Sequence, residues 1–234
     1  MLLITGDSII TKQIIEAFQE HALLVELSSS FLPALDLISD RKFEAVVLDL
    51  SIGEPVYSIL KKTRTSASNK TTVAFAISAN SDESAHALKQ GFSFVLERPL
   101  TPESIRHSLK VAYGLIVRER RRYFRCPVVV PAVLTTKTNG IFSGRTVNVS
   151  ESGMALSASV ALSSGLEGMA QFKLPELSLP ITADSRVCWA NAMGDAGLSF
   201  LFMPSDQASE LQAWLATRLE EQLPPTVADR FRMP

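Results

Sequence analysis

Arg121-Arg122-Tyr123-Phe124-Arg125 and, further along, Asn148-Val149-Ser150-Glu151-Ser152-Gly153 are the stretches on which the reading of this chain turns. The first closes a run, 118–125, that holds five arginines against the single Glu119. Guanidinium at that density repels itself unless anions or carboxylates come to it. The second has a short amide, a hydroxyl and a glycine at i, i+2 and i+5, the composition of a tight loop offering hydrogen bonds at close range. Arginine forks match both phosphate oxygens and the O6/N7 edge of guanine, and their flat faces stack on bases. A ligand carrying guanine and phosphate would use all three properties, so the two stretches read as halves of a dinucleotide-binding site. Taken singly, each has a plainer reading: a basic run stabilises a helix C-terminus, and an Asn/Ser/Gly cluster turns between strands. Their order, with an alternating apolar stretch between them, favours the ligand.

Beyond the arginines the pattern is one of short strands. Residues 126–134 read as a strand with Pro131 at an edge or bulge, and Asn139-Gly140 is a hairpin turn signal. Strands follow at 141–149, 154–156, 168–174, 179–189 and 197–203, punctuated by Ser/Gly, Pro and Asn/Gly/Asp clusters as in an antiparallel barrel. A helix from Ser205 to about Gln222 presents Leu211, Trp214, Leu215 and Leu219 as a stripe that would cover the barrel. Trp189 and Trp214 are expected in the core, Cys126 and Cys188 as small buried hydrophobes, and 223–234 as a frayed tail.

Before the arginines, strands alternate with helical patterns, which predicts a parallel sheet flanked by helices. Strands are expected at 2–5, 23–27, 44–49, 72–78 and 92–96. The third is a nearly continuous apolar run that delivers Asp49 to the carboxyl edge of the sheet, where sites form in such folds. A helix from about Ser8 repeats Ile10, Ile14 and Phe18 on one face, and another over 82–90 stops at Gly91. Thr101-Pro102-Glu103 opens the last helix, whose Ile105, Leu109, Ala112 and Ile116 face inward.

The paired RxxxR and NxSxxG motifs resemble the PilZ domain, a six-stranded antiparallel β-barrel with a C-terminal helix that binds the bacterial second messenger cyclic di-GMP. The resemblance covers 119–222 and implies that Arg121 and Arg125, with Arg122 between them, grip phosphates and guanine edges while Asn148, Ser150 and Gly153 close on a guanine. Asn148 stands where Asp is more usual, and its side chain supplies one acceptor oxygen instead of two. Residues 1–118, with βα units and an acid ending the third strand, resemble the flavodoxin-like receiver domain of response regulators. That likeness puts Asp49 at the phosphoacceptor position, Ser78 at the hydroxyl position and Asp7 in the magnesium-holding acid pair. Gly6 replaces the other acid, and Arg98 precedes Pro99 where Lys is expected, so the pocket reads as vestigial, with Arg98 expected to pair with Asp49 or Asp7.

At 234 residues the chain allows two domains, and a net charge of −1 confines the basic character to a local patch, against bulk nucleic-acid affinity. The start, Met1 to Asp7, lacks a basic region ahead of its apolar residues, and no apolar run reaches membrane-span length, so a cytoplasmic protein without membrane insertion is expected. Cys126, Cys188, His21, His86 and His107 form no metal or thiol-nucleophile constellation, so neither enzyme nor metal site is expected. The reading is a cyclic di-GMP-binding effector signalling through unidentified protein partners, with a homodimer left open. In it the last receiver helix would end near Arg120 and a hinge at 121–124 would order around the ligand. Two alternatives stay open: a response regulator phosphorylated on Asp49, and a ligand-independent interaction module.

Overall fold

The structure is a computed structural model that describes residues 1–21, 23–136 and 140–222. The described chain divides into two compact units at the Arg120–Arg121 bond.

The first unit alternates strands and helices: β1 (Leu2–Ile4), α1 (Ser8–Gln19), β2 (Glu26–Ser28), α2 (Phe31–Asp40), β3 (Ala45–Asp49), α3 (Pro55–Thr65), β4 (Val73–Ser78), α4 (Ser81–Lys89), β5 (Phe94–Glu97) and α5 (Pro102–Tyr123). The five strands are parallel in the order β2-β1-β3-β4-β5, the receiver-like arrangement. Every residue of β3 and β4 is buried, as the central strands of a sheet covered on both faces require. One core layer gathers Ile10, Ile14 and Phe18 of α1 with Ile105, Leu109, Ala112 and Ile116 of α5; the other gathers Ala34, Ile38, Val56, Ile59 and Ala87 of α2, α3 and α4. The second strand starts three residues later than the expected 23–27, because pairing with β1 begins at Glu26. Helices α2 and α3 bury positions at helical spacing, Ala34 and Ile38 in the first and Val56, Ile59, Leu60 and Thr63 in the second. Pro33 and Pro55 sit in their first turns, where the missing N–H has no helical partner in any case.

The end of α5 corrects the expected hinge. The helix runs through Tyr123, so Arg121 and Arg122 are helical and only Phe124 and Arg125 separate it from the next strand. No Gly or Pro interrupts 115–123, and the next position of the inward stripe after Ile116 is Glu119, which is buried. Lys42 Nζ donates to Glu119 Oε2 at 2.8 Å and Thr71 Oγ1 donates to the same oxygen at 2.9 Å. Glu119 is thus engaged in its own unit and is not the local counter-charge of the arginine run. Arg120 reaches Glu44 instead, Nε to Oε1 at 3.3 Å.

The second unit comprises β6 (Cys126–Pro127), β7 (Pro131–Thr136), β8 (Ile141–Ser150), β9 (Gly153–Ala158), β10 (Glu167–Phe172), β11 (Ile181–Ala190), β12 (Asp195–Phe202) and α6 (Ser205–Glu221). Six strands close a barrel in the order β7-β10-β11-β12-β9-β8, with β8 returning to β7. The two-residue β6 adds to β8 beyond the end of β7. The strand expected at 126–134 is therefore broken in two. Thr146 Oγ1 donates to the Val128 carbonyl and accepts from the Val130 N–H, a side chain standing in for ladder bonds at the break. Of the Asn139-Gly140 signal, Asn139 lies outside the described residues; Gly140 O accepts from the Thr136 N–H at 2.9 Å, closing the β7–β8 connection. The tail expected over 223–234 also lies outside the described residues.

Leu134, Val149, Met154, Leu156, Phe172, Val187 and Leu198 fill the barrel, with Leu211, Trp214 and Leu215 of α6 packed on them. Trp214 donates its indole N–H to the Pro175 carbonyl at 3.0 Å. Trp189 is not in this core. It is 51% exposed, at an outward position of β11 set by a register shift between Val187 and Trp189. Cys188, beside it, is exposed, whereas Cys126 is buried as expected.

Candidate functional site

The barrel site is built by strand pairing. Cys126 faces Val149 and Pro127 faces Asn148 across β6 and β8, and Arg125 is the residue that leads into β6. The two sequence motifs thus meet at one edge of the barrel. Arg125 and Arg122 are exposed and have no ion pair among the described residues; Arg121, half-buried on α5, lies with Nη2 3.9 Å from Glu220 Oε1 of α6. Arg125 presents an open fork for an anion. Arg121 already has a carboxylate beside it.

The second motif divides into structural and available groups. Ser150 is buried and its hydroxyl donates to the Gly153 carbonyl at 3.0 Å, fixing the β8–β9 turn. At Gly153 an added Cβ would run into the backbone carbonyl of Leu198 on β12, so the barrel itself demands glycine there. Asn148 is different. Its Oδ1 is shielded from solvent and has no hydrogen-bond partner among the described residues. A buried acceptor left in that state costs about 1–3 kcal/mol, and a donor on a bound molecule would recover it. Guanine offers such donors, and an arginine fork beside it offers a match to phosphate.

In the first unit Asp49 is fully buried at the carboxyl end of β3. Thr5 Oγ1 donates to its Oδ2 at 2.7 Å, and the Ser51 N–H and hydroxyl donate to its Oδ1 at 3.1 and 2.8 Å. Arg98 Nη2 reaches both oxygens, at 3.0 and 2.9 Å, while its Nη1 lies 3.4 Å from Asp7 Oδ2. Burial alone would raise the Asp49 carboxyl; the bonds from Thr5 and Ser51, then from Arg98, outweigh it and hold the group below its ordinary value. Asp7, which caps α1 by accepting from the Ile10 and Ile9 N–H groups, is lowered chiefly by those bonds and then by Arg98. The structure therefore brings Asp7, Asp49 and Arg98 together. Ser78 follows Ile77, the β4 partner of Asp49, and its hydroxyl lies 2.8 Å from that of Ser84. A divalent cation does not fit this donor set, because a guanidinium occupies the space between the carboxylates and Gly6 adds no ligand. Among the described residues no group of three or more His, Cys, Asp or Glu is arranged for a metal.

Residues 119–217 match the PilZ domain family, and this span includes both motifs and the whole barrel. The barrel unit carries a PilZ domain. Solved structures similar in part to this chain include the receiver domain of NtrX from Brucella abortus, at 16% identity over 50% of this chain and 97% of that one, with a TM-score of 0.43. The PilZ domain of CeSA from a cellulose-synthesizing bacterium is similar at 17% identity over 39% of this chain and 94% of that one, with a TM-score of 0.33. The Bacillus subtilis inhibitor of motility MotI/DgrA is similar at 17% identity over 45% of this chain and 54% of that one, with a TM-score of 0.39. No curated protein matches the chain. Among the described residues no helix is long and apolar enough to cross a membrane.

Several groups that shape the PilZ domain and the Asp49–Arg98 cluster were not read from the sequence. Ser51, two residues after Asp49, was legible as the residue whose N–H an Asx turn captures. Thr5 and Glu220 carried no signal, since each acts on a partner far away in sequence.

Proposed function

We propose that the PilZ domain of this chain binds cyclic di-GMP between the Arg121–Arg125 segment and Asn148, and that the chain is a non-catalytic effector whose ligand state is passed to protein partners. The observation that supports this reading is the β6–β8 register, in which Pro127, two residues after Arg125, faces Asn148, whose Oδ1 has no hydrogen-bond partner among the described residues. In this reading Arg125 and Arg121 take phosphate and guanine O6/N7, and Asn148 Oδ1 accepts from a guanine N–H. Arg121 exchanges the Glu220 carboxylate for the ligand. The receiver-like unit acts as a regulatory partner without phosphotransfer, its pocket held by Arg98. Binding can alter the arrangement of the units only through a difference in affinity between arrangements. The α5 helix, which carries Arg121 and Arg122 and ends two residues before Arg125, is the element through which that difference would act. Hydrogen exchange with and without cyclic di-GMP tests the proposal: protection is expected at 124–127 and 146–154, and an unchanged pattern at both segments contradicts it.

A further inference from the structure

We infer that the outer face of the barrel around Asp184 docks a basic amphipathic helix of a protein partner, an inference that extends the effector reading by giving that partner's chemistry. The strand registers form one row across five strands: Ile141, Thr135, Met169, Asp184 and Phe202. A groove of about 390 Å³ lies on this row, with Met169, Asp184, Leu201 and Phe202 in its wall. Ala170 and Phe172 of β10 and Ala183 and Ser185 of β11 are buried, so Met169 and Asp184 face outward by alternation. In a regular β12, Phe202 would turn inward with Phe200, which packs on the core. Instead one step along β11, from Ser185 to Asp184, spans two along β12, from Phe200 to Phe202. This bulge at Leu201 sets Phe202 on the outer face beside Asp184. Ile141, Met169, Leu201 and Phe202 are 44–69% exposed.

Charge decides the occupant. Asp184 is exposed and has no ion pair among the described residues, while Arg186, on the same face, donates from Nε to Glu167 Oε1 at 2.9 Å. Covering the row with apolar groups alone would strip water from the Asp184 carboxylate, so the occupant has to bring a cation. A second copy laid face to face on this row would set Asp184 against Asp184, and an anionic lipid surface would meet the same acid. Strands β7, β10, β11 and β12 are each paired on both sides, so the face offers no free strand edge and the occupant packs by its side chains. Five strands at a spacing of about 4.8 Å make a row roughly 19 Å long, which about 13 residues of helix would span. A lone acid that keeps a surface soluble would explain Asp184 but not the bulge that turns Phe202 out of the core.

The test titrates the full chain with a synthetic helix of about 14 residues, Leu along one face and Lys along its flanks, and follows amide chemical shifts. Saturable shifts are expected at Thr135, Ile141, Met169, Asp184 and Phe202, and a counterpart with Glu in place of Lys should not bind. Phe202→Ser and Asp184→Lys are each expected to weaken binding roughly 5–50-fold while melting as wild type does, because both side chains are exposed. Shifts confined to other surfaces, equal binding of the Glu counterpart, or no binding of the Lys helix overturns the docking role. So does self-association in sedimentation, or retention on anionic vesicles, that Phe202→Ser abolishes, since each gives the face another occupant. Cyclic di-GMP calorimetry separates this inference from the ligand reading. Phe202→Ser should bind cyclic di-GMP as wild type does, and a loss there would move Phe202 into the ligand site and overturn the docking role. No heat with the wild-type protein would overturn the ligand reading and leave the docking role to its own shifts.

Discussion

Arg98 grips Asp49 through both carboxylate oxygens, at 3.0 and 2.9 Å, and touches Asp7 at 3.4 Å with its other terminal nitrogen. The chain thereby supplies its own cation between the two carboxylates. Arg98 Nη2, Thr5 and Ser51 together engage both oxygens of Asp49, so an incoming phosphoryl group would have to displace at least one of these donors. The expected pairing of Arg98 with Asp49 or Asp7 is thus a pairing with both.

The first consequence is chemical. Treatment with acetyl phosphate and magnesium is expected to leave the protein unmodified, because an acyl phosphate on Asp49 would have to displace Arg98 without a metal to receive the charge. Intact-mass measurement decides: a stoichiometric gain of roughly 80 dalton, one phosphoryl group, on Asp49 would promote the response-regulator reading.

A second consequence is acid sensitivity of the first unit. The Asp49 carboxyl is lower in the folded state than its ordinary value of 3.8, so its contribution is fully present above that value. It is lost as pH falls below 3.8, through the lower folded value, where the native carboxylate must finally take up a proton. Melting curves from pH 7 downward should therefore lose stability at the acid end, and Asp49→Asn should flatten that limb. Arg98→Ala should cost on the order of 1.5–3 kcal/mol at neutral pH, the scale of hydrogen bonds to a charged group, since it strands a buried carboxylate. A variant as stable as wild type would show that Thr5 and Ser51 suffice.

At the barrel, Arg125→Ala is expected to weaken cyclic di-GMP binding by roughly 1.5–3 kcal/mol, on the order of 10–100-fold, without loss of stability, because that side chain is exposed. Arg121→Ala should weaken binding similarly while also freeing Glu220. Calorimetry beside thermal melting separates the two effects. Unchanged affinity in both variants would return the run to a solvated helix end.

Asn148→Asp places an acceptor in the shielded position whichever way the amide is turned, so affinity should hold or rise. A large loss in a folded variant would mean that Asn148 donates to the ligand. Gly153→Ala is the contrasting case. Its Cβ has no room against the Leu198 carbonyl, so it should destabilise the barrel by about 1–3 kcal/mol or more, visible in melting before any ligand is added.

Much of this was legible in the sequence where a residue acts through near neighbours or through periodicity. The inward stripe of α5 at Ile105, Leu109, Ala112 and Ile116 and that of α6 at Leu211, Trp214, Leu215 and Leu219 lie where spacing places them. Glu119 was misread because sequence shows it among arginines, whereas helical geometry turns it to the core and to Lys42 and Thr71. Trp189 was misread for a related reason. Alternation along β11 argues for the core until a bulge shifts the register by one, and no composition signal marks that bulge. Of the barrel motif, Ser150 and Gly153 proved to have structural duties of their own, and only the fold distinguishes them from Asn148.

The most direct test of the account is calorimetric titration of the full chain with cyclic di-GMP beside cyclic di-AMP. Arginine forks prefer the two acceptors of guanine O6/N7 to the adenine edge, where an amino donor replaces one of them. The expected result is saturable binding of cyclic di-GMP at micromolar or lower concentration, roughly −8 kcal/mol or stronger, with much weaker binding of cyclic di-AMP. Equal affinity for the two, or no heat with cyclic di-GMP far above micromolar concentration, would contradict it.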